Sequence, residues 1–505
     1  MYSVFRNYKS EVEKVIDKNK QVDSVIKKLK NIAEININRN KYNQAFAAIS
    51  SAAEILYTFN QKYADDELEN LTISIGNKLK EKYKIANHTK QDCTDTILVY
   101  DGFGLDTRGV ILMYLNALGI NGYSVCYVTD NAVRGSIPTI KEMCDKYSFK
   151  MQFVDMSDYL KSFSQLSQVF EKEKPKVAFF YTTPFDSSAS AVFHIYEGLC
   201  TRYLVDLTDH AFWLGKCAND YFLGSREMSA YIEHFERGIP KEKCIKLGVN
   251  LLTEDIKDHS GLPFDIENTR FLFSGGALYK TLGDDHNYYY KIINHIMECH
   301  ENIKFLYAGT GDDCELKKLV TRFPNRVFHI NERKDFFYII QHCTLYLNTY
   351  PMFGGMMMKY SALAHKLPIT LKHGSDSDGL LLNQKECRIE YDSYEELIAD
   401  VDLLLNDTEY LNDREKLLEG SVITEERFAR NVKGVIENHR TDYSHDFEIL
   451  DTKKFRQEYY ERFDIDKTIQ LIAKKKNMSL FRYFPVAFIQ KISKQVIKRK
   501  DINYD

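Results

Sequence analysis

The sequence predicts an α/β protein with two Rossmann-like domains in tandem, set between a helical N-terminal region and a helical, basic C-terminal tail. Three observations predict it. From Asp95 to about residue 250, and again from Arg270 to about residue 372, short β-rich runs alternate with helical stretches. That alternation is the signature of mainly parallel, doubly wound sheets. Before about residue 90 there is helical periodicity and no good strand, and between Lys467 and Lys500 there is no Asp or Glu among many cations.

Taken in order, residues 1–90 form the helical region. In KYNQAFAAISSAAEILYTF, Tyr42, Ala45, Phe46, Ile49, Ala52, Ala53, Leu56 and Tyr57 recur at three- and four-residue steps, one apolar face of a helix. Small residues on it would let a second helix pack close. The pattern resembles one helix of a tetratricopeptide hairpin, without a clear second copy at the required period; a plain helical cap on the next domain is the other reading. Residues 91–260 form the first Rossmann-like domain. DTILVYDGFGLDTRGVILMYLNALGINGYSVCYVTD reads as strand, turn, helix and strand, and KMQFVDM, KVAFFYTT, TRYLVDLTD, NDYFLGS and CIKLGVN continue the strands. Residues 261–440 form the second domain, opened by the polar GLPFDIENTR. RFLFSGGAL, NIKFLYAGTG, RVFHI, LYLNTY and LPITLK are its strands, and DSYEELIADVDLLLNDTEYLNDREKLLEG its charged helical close. Residues 441–505 are the tail.

The composition excludes several classes. With 505 residues, 44% hydrophobic and 28% charged, the chain suits two or three soluble globular domains, and a net charge of -4 does not point to nucleic acid. No apolar stretch reaches the roughly 18 residues of a membrane span. The first residues lack the layout of a signal peptide. Ten scattered cysteines contain no CxxC pair, which argues against zinc and disulfides and for a reducing cytoplasm.

Three stretches at the carboxyl ends of strands carry chemistry, where open α/β sheets bind ligands. In SGGALYK, Gly275 and Gly276 let a ligand approach the backbone and Lys280 can set a charge on a phosphate. In LNTYPMFGGMMMKYSALAHKLPI, Gly354 and Gly355 precede a helix expected to start near Gly355 or Met356, whose free amides favour an anion. Of Met356, Met357 and Met358, at least one should face the core. In DLTDHAFWLGKCANDYFLGS, Asp209 and His210 follow a strand, so His210 can act as a base or hydrogen-bond a donor phosphate.

The set FSGG…K, FLYAGTGD and VFHINERKDFFYIIQHCTLYLNTYPMFGGMMMKYSALAHKLPI, with the helix after it, resembles the sugar-nucleotide glycosyltransferases of GT-B architecture over about residues 95–440. It is similar to bacterial surface-polysaccharide glycosyltransferases and to the O-linked N-acetylglucosamine transferase-like group. The resemblance implies diphosphate binding by Lys280 with Gly275 and Gly276, phosphate oxygens on the amides of Gly354, Gly355 and Met356, and His210 facing donor or acceptor. Ser361 stands where retaining relatives hold a glutamate, and Lys366 where glycine is usual, which favours inversion. The implied reaction is direct, metal-independent transfer from a nucleotide sugar, expected to be a UDP-sugar, with no cofactor. His210 leads as base, with Asp106 and Asp209 behind it. Asp106 lies in the turn DGFGLDTRG and is equally readable as a cap. The polar turn GSDSDGLLL receives no role.

The tail is a basic amphipathic segment. Lys474, Lys475, Lys476, Arg482, Lys491, Lys494, Lys498, Arg499 and Lys500 interleave with Leu480, Phe481, Phe484, Phe488, Ile489 and Ile492. It can lie on an anionic membrane, at about 1 kcal/mol per cation near the surface, or pack its apolar face on the protein. The expected setting is cytoplasmic, at the inner face of the membrane if the tail binds it. The acceptor is a glycan, lipid-linked or protein. A catalytically silent binding or stabilising subunit of a transferase complex is the alternative, and a nucleotide-sugar epimerase of the same fold a third.

Overall fold

The computed structural model describes residues 2–501 apart from 60, 87–91, 108–109, 254–255, 373–380, 383, 448, 453–455 and 457–465; for 2–18, 475–476 and 494–501 it describes the backbone alone. The first sheet contains β1 (Thr94–Asp101), β2 (Val125–Asp130), β3 (Lys150–Val154), β4 (Pro175–Tyr181), β5 (Thr201–Val205), β6 (Tyr221–Gly224) and β7 (Cys244–Lys246), in the order β3-β2-β1-β4-β5-β6-β7. The second contains β8 (Phe271–Gly275), β9 (Lys304–Ala308), β10 (Val327–Ile330), β11 (Leu345–Leu347), β12 (Pro368–Leu371) and β13 (Glu390–Tyr391), in the order β10-β9-β8-β11-β12-β13. All pairings are parallel. In both sheets the strand order reverses beside the first strand, at β1/β4 and at β8/β11. Each reversal leaves a crevice at the carboxyl ends of the strands. β13 is too short to show a period of two and was not expected from sequence.

The β1 residues explain why both faces of the first sheet are covered. Ile97 and Val99 enter one core, Leu98 and Tyr100 another on the opposite face, as side-chain alternation requires. Three helices, α1 (Tyr2–Asn38), α2 (Tyr42–Phe59) and α3 (Asp66–Tyr83), join the second of these cores. α2 is apolar nearly all round because it is enclosed nearly all round: Phe46 meets Tyr159 and Phe163 of the first domain at 6.1 and 6.3 Å between ring centroids. The C-terminal segment closes its other side, with Asn477 donating to Ser51 Oγ at 2.7 Å. The chain also returns to the first domain after the second. In the helix Glu425–Asn438, Val432 and Val435 share a core with Ile97 and Val99, and Tyr203 donates to the Val435 carbonyl at 2.8 Å.

Glu69 of α3 fastens the helical region to the segment that follows His210. Its buried carboxylate accepts from the amides of Gly215 (2.8 Å), Lys216 (3.0 Å) and Cys217 (3.2 Å). Burial raises its pKa, against the pull of those amides. Glu69→Ala strands three donors, at about 1–3 kcal/mol for each buried one left unpaired. The expected result is a loss of about 3 kcal/mol or more, read as a lowered urea midpoint at unchanged slope.

Candidate active site

A cavity of about 890 Å³ lies between the two sheets and takes its walls from both domains and from α2. The second-domain wall is two loops at the β8/β11 reversal. After β8, Gly276 holds φ +131°, a left-handed conformation natural to glycine, and Gly309 packs so close that a Cβ there would lie 1.8 Å from the Gly276 carbonyl oxygen. After β11, Asn348 shapes the turn: its Oδ1 accepts from the amides of Thr349 (3.0 Å) and Gly354 (3.1 Å), while Thr349 Oγ1 donates to the Met352 carbonyl at 2.7 Å. The two loops are joined, since the Met352 amide donates to the Lys280 carbonyl at 3.1 Å and Lys280 Nζ to the Phe353 carbonyl at 3.4 Å.

The helix Gly355–Leu363 starts at the cavity. Its first amides, those of Gly355, Met356 and Met357, find no acceptor among the described residues. Such a helix start carries partial positive charge and suits an anion. Gly354 corrects the sequence expectation in one respect. Its amide turns inward to Asn348, so what it offers the cavity is the absence of a side chain. Of the three methionines, Met358 is wholly in the core, while Met356 and Met357 line the cavity.

The first-domain wall follows β5 and β6. Asp209 is held by Arg226 through two hydrogen bonds, Nε–Oδ2 at 2.7 Å and Nη2–Oδ1 at 2.8 Å. Burial alone would raise its pKa, but the guanidinium wins and keeps the carboxylate ionised. His210 Nδ1 lies 3.7 Å from Asp209 Oδ1, and its ring meets the edge of Tyr57 from α2 at 6.4 Å between centroids. Behind them Asp206 accepts from Trp213 Nε1 at 3.1 Å and from the Thr208 amide at 3.1 Å. Burial, opposed by Arg237, pushes its pKa up to about 6. The neighbouring Glu233 is fully buried, and burial together with Asp206 raises it well above the carboxylate range.

Of the residues expected from sequence, His210, Asp209, Gly275, Gly276, Lys280, Gly354, Gly355 and Met356 all line this one cavity. Asp106 does not. Its carboxylate accepts from the Thr139 amide (3.2 Å), Thr139 Oγ1 (2.8 Å) and the Ile140 amide (3.0 Å), at the start of the helix Pro138–Lys146. Ser361 is buried and donates to the Lys366 carbonyl at 2.6 Å, away from the cavity wall. GSDSDGLLL lies outside the described residues from Gly374 to Leu380. Sequence reasoning missed Tyr57, Asp206, Arg226 and Lys359, all of which line the cavity. For Arg226 there was a signal, since it follows the strand YFLG at the same end of the sheet. Among the described residues no three His, Cys, Asp or Glu side chains group as metal ligands would.

No protein-family model matches the chain, and no curated protein matches it in sequence. Solved structures do match its fold. A candidate UDP-N-acetylglucosamine 2-epimerase from Listeria monocytogenes superposes with a TM-score of 0.51 at 11% identity, covering 71% of this chain and 100% of that one. A glycosyltransferase from Rickettsia africae ESF-5 gives 0.50 at 12%, covering 68% and 99%. A Thermobaculum terrenum O-GlcNAc transferase mutant gives 0.47 at 13%, covering 87% and 82%. The first two establish the architecture: two Rossmann-like domains facing each other across a cleft, the GT-B fold.

Proposed function

We propose that the chain is a glycosyltransferase that moves a sugar from a nucleotide sugar, expected to be a UDP-sugar, to a hydroxyl of a glycan, lipid-linked or protein acceptor. One observation carries this reading. A single cleft sets Lys280 and the amides of Gly355, Met356 and Met357 on one wall and the His210–Asp209 pair on the other. A diphosphate on the first wall directs its sugar toward the second. The acceptor oxygen attacks the anomeric carbon as its proton passes to His210 Nε2, the nitrogen turned from Asp209. The bond from that carbon to the diphosphate oxygen breaks, and its electron pair leaves with the diphosphate. Lys280 and the helix-start amides take up that charge without a metal, and the ionised Asp209 stabilises the imidazolium. A single displacement inverts the anomeric centre. The Listeria protein's name specifies a UDP-sugar, which supports uridine as the first base to test.

The test is turnover with a panel of nucleotide sugars, scored for hydrolysis and for transfer. Sugar release from at least one donor is expected. Binding without turnover across the panel favours the silent-subunit alternative, and no binding contradicts the reading. A second reading, the epimerase, is favoured by Asp206 and Asp209, carboxylates of one cavity displaced in opposite directions. Both are engaged, however, by Trp213 and Arg226. An epimerised nucleotide sugar formed without acceptor would decide for it.

We also place the tail at an anionic membrane surface. Among the described residues no helix is long and apolar enough to cross a membrane. One face of the tail packs on the protein and another is left exposed. Leu480, Ala487 and Phe488 are buried, whereas Met478 (52%), Phe481 (44%), Val486 (63%), Ile489 (59%) and Ile492 (57%) remain exposed beside Arg482 in a stretch free of acids. Exposed apolar side chains set among cations suit the interface of an anionic bilayer. Flotation with phosphatidylserine-containing liposomes is expected for the wild type and lost in Val486→Glu/Ile489→Glu/Ile492→Glu, which changes only side chains more than half exposed. Equal flotation of the two contradicts the assignment.

A further inference from the structure

Lys359 is the buried cation of the cleft that sequence reasoning did not anticipate. It lies one helical turn beyond Gly355, on the same face, and its side chain lines the cavity with Lys280 and Arg226 although its exposure is only 7%. A helical side chain leans toward the helix start, and Gly355, without a side chain, leaves that course open. Among the described residues its ammonium makes no hydrogen bond and no ion pair. The charged groups that act on it are Arg226, which repels it, and Asp209, which attracts it but is already held on both oxygens by Arg226. Lys246, which shares a small adjoining pocket with Lys359, is paired with Glu227 at 2.5 Å. Burial, reinforced by Arg226, lowers the Lys359 pKa to about 8.

A buried ammonium without a counterion is costly, and the cost is removed by a charged acceptor at hydrogen-bond distance. An apolar side chain of similar length would fill the same space without it. We infer that Lys359 is an anion-binding residue of the donor site, its ammonium receiving an oxyanion of the bound nucleotide sugar. That oxyanion is either an oxygen of the diphosphate or a carboxylate on the transferred sugar. The inference rests on the proposed use of a nucleotide sugar and adds a residue and a charge requirement to it.

Calorimetric titration of wild type, Lys359→Met and Lys359→Arg with uridine, UDP, UDP-glucose and UDP-glucuronate tests this. If the diphosphate is the partner, Lys359→Met weakens UDP and both sugar nucleotides by about tenfold or more, spares uridine, and is rescued by arginine. If the sugar carboxylate is the partner, only UDP-glucuronate weakens. For whichever ligand depends on Lys359, wild-type affinity also falls as pH rises through about 8. The Lys359→Arg variant loses that dependence, because arginine stays charged. Affinities within twofold of wild type for every ligand in Lys359→Met overturn the inference while UDP still binds. If the wild type binds no uridine nucleotide, it is the proposed function that fails.

Discussion

Replacing His210 by alanine is expected to lower the rate of sugar transfer by about 10²–10⁴-fold, the range that a positioned general base contributes, with donor affinity little changed. The split follows from where the side chain stands. His210 belongs to the first-domain wall, across the cleft from Lys280 and the helix start, so its loss removes a proton acceptor and leaves the phosphate contacts in place. The ring is placed by neighbours on two sides, Asp209 at 3.7 Å and the Tyr57 ring at 6.4 Å between centroids. Single-turnover kinetics at saturating donor separate the chemical step from binding. A variant that transfers sugar within a few-fold of wild type would remove His210 from the mechanism and pass the role of base to a carboxylate of the cavity.

Lys280→Met is expected to lower kcat/KM by about 10²–10³-fold, comparable to the loss of one charge-stabilising donor in an active site, and to weaken UDP binding as well. Two effects act together. The variant removes a cation from the wall that takes up the leaving charge. It also removes the Nζ contact to the Phe353 carbonyl that joins the two loops. Lys280→Arg restores the charge with a different shape and is expected to recover only part of the activity, since arginine presents a planar fork where lysine presents a point charge. Wild-type kinetics for Lys280→Met contradict the assignment.

The fold was legible in the sequence because its signals are local. Strands such as TDTILVYD and FLFSG are β-rich runs that end in glycine turns, and their alternation with helices implies mainly parallel, doubly wound sheets. The glycine loops of the cavity were legible for a similar reason: Gly275-Gly276 and Gly354-Gly355 mark close backbone approach at strand ends. What could not be read locally is what crosses between elements. Tyr57 reaches the cavity because α2 packs on the helices that cover the first sheet, among them Tyr159–Glu173, a contact between residues far apart in sequence. Lys359 sits in the apolar run MMMKYSAL, where a lysine ordinarily points to solvent, and only the facing of the two domains buries it. The turned-in amide of Gly354 depends on Asn348, and the occupation of Asp106 on Thr139 and Ile140. Hydrogen-bond partners of that kind leave no periodic trace.

The central claim is that a nucleoside diphosphate sits at the start of the helix Gly355–Leu363 in the cleft between the domains. A crystal structure with UDP bound tests it most directly. The account predicts diphosphate oxygens within hydrogen-bond distance of the amides of Gly355, Met356 and Met357 and of Lys280 Nζ. A diphosphate bound elsewhere, with those groups making no contact to it, would contradict the account.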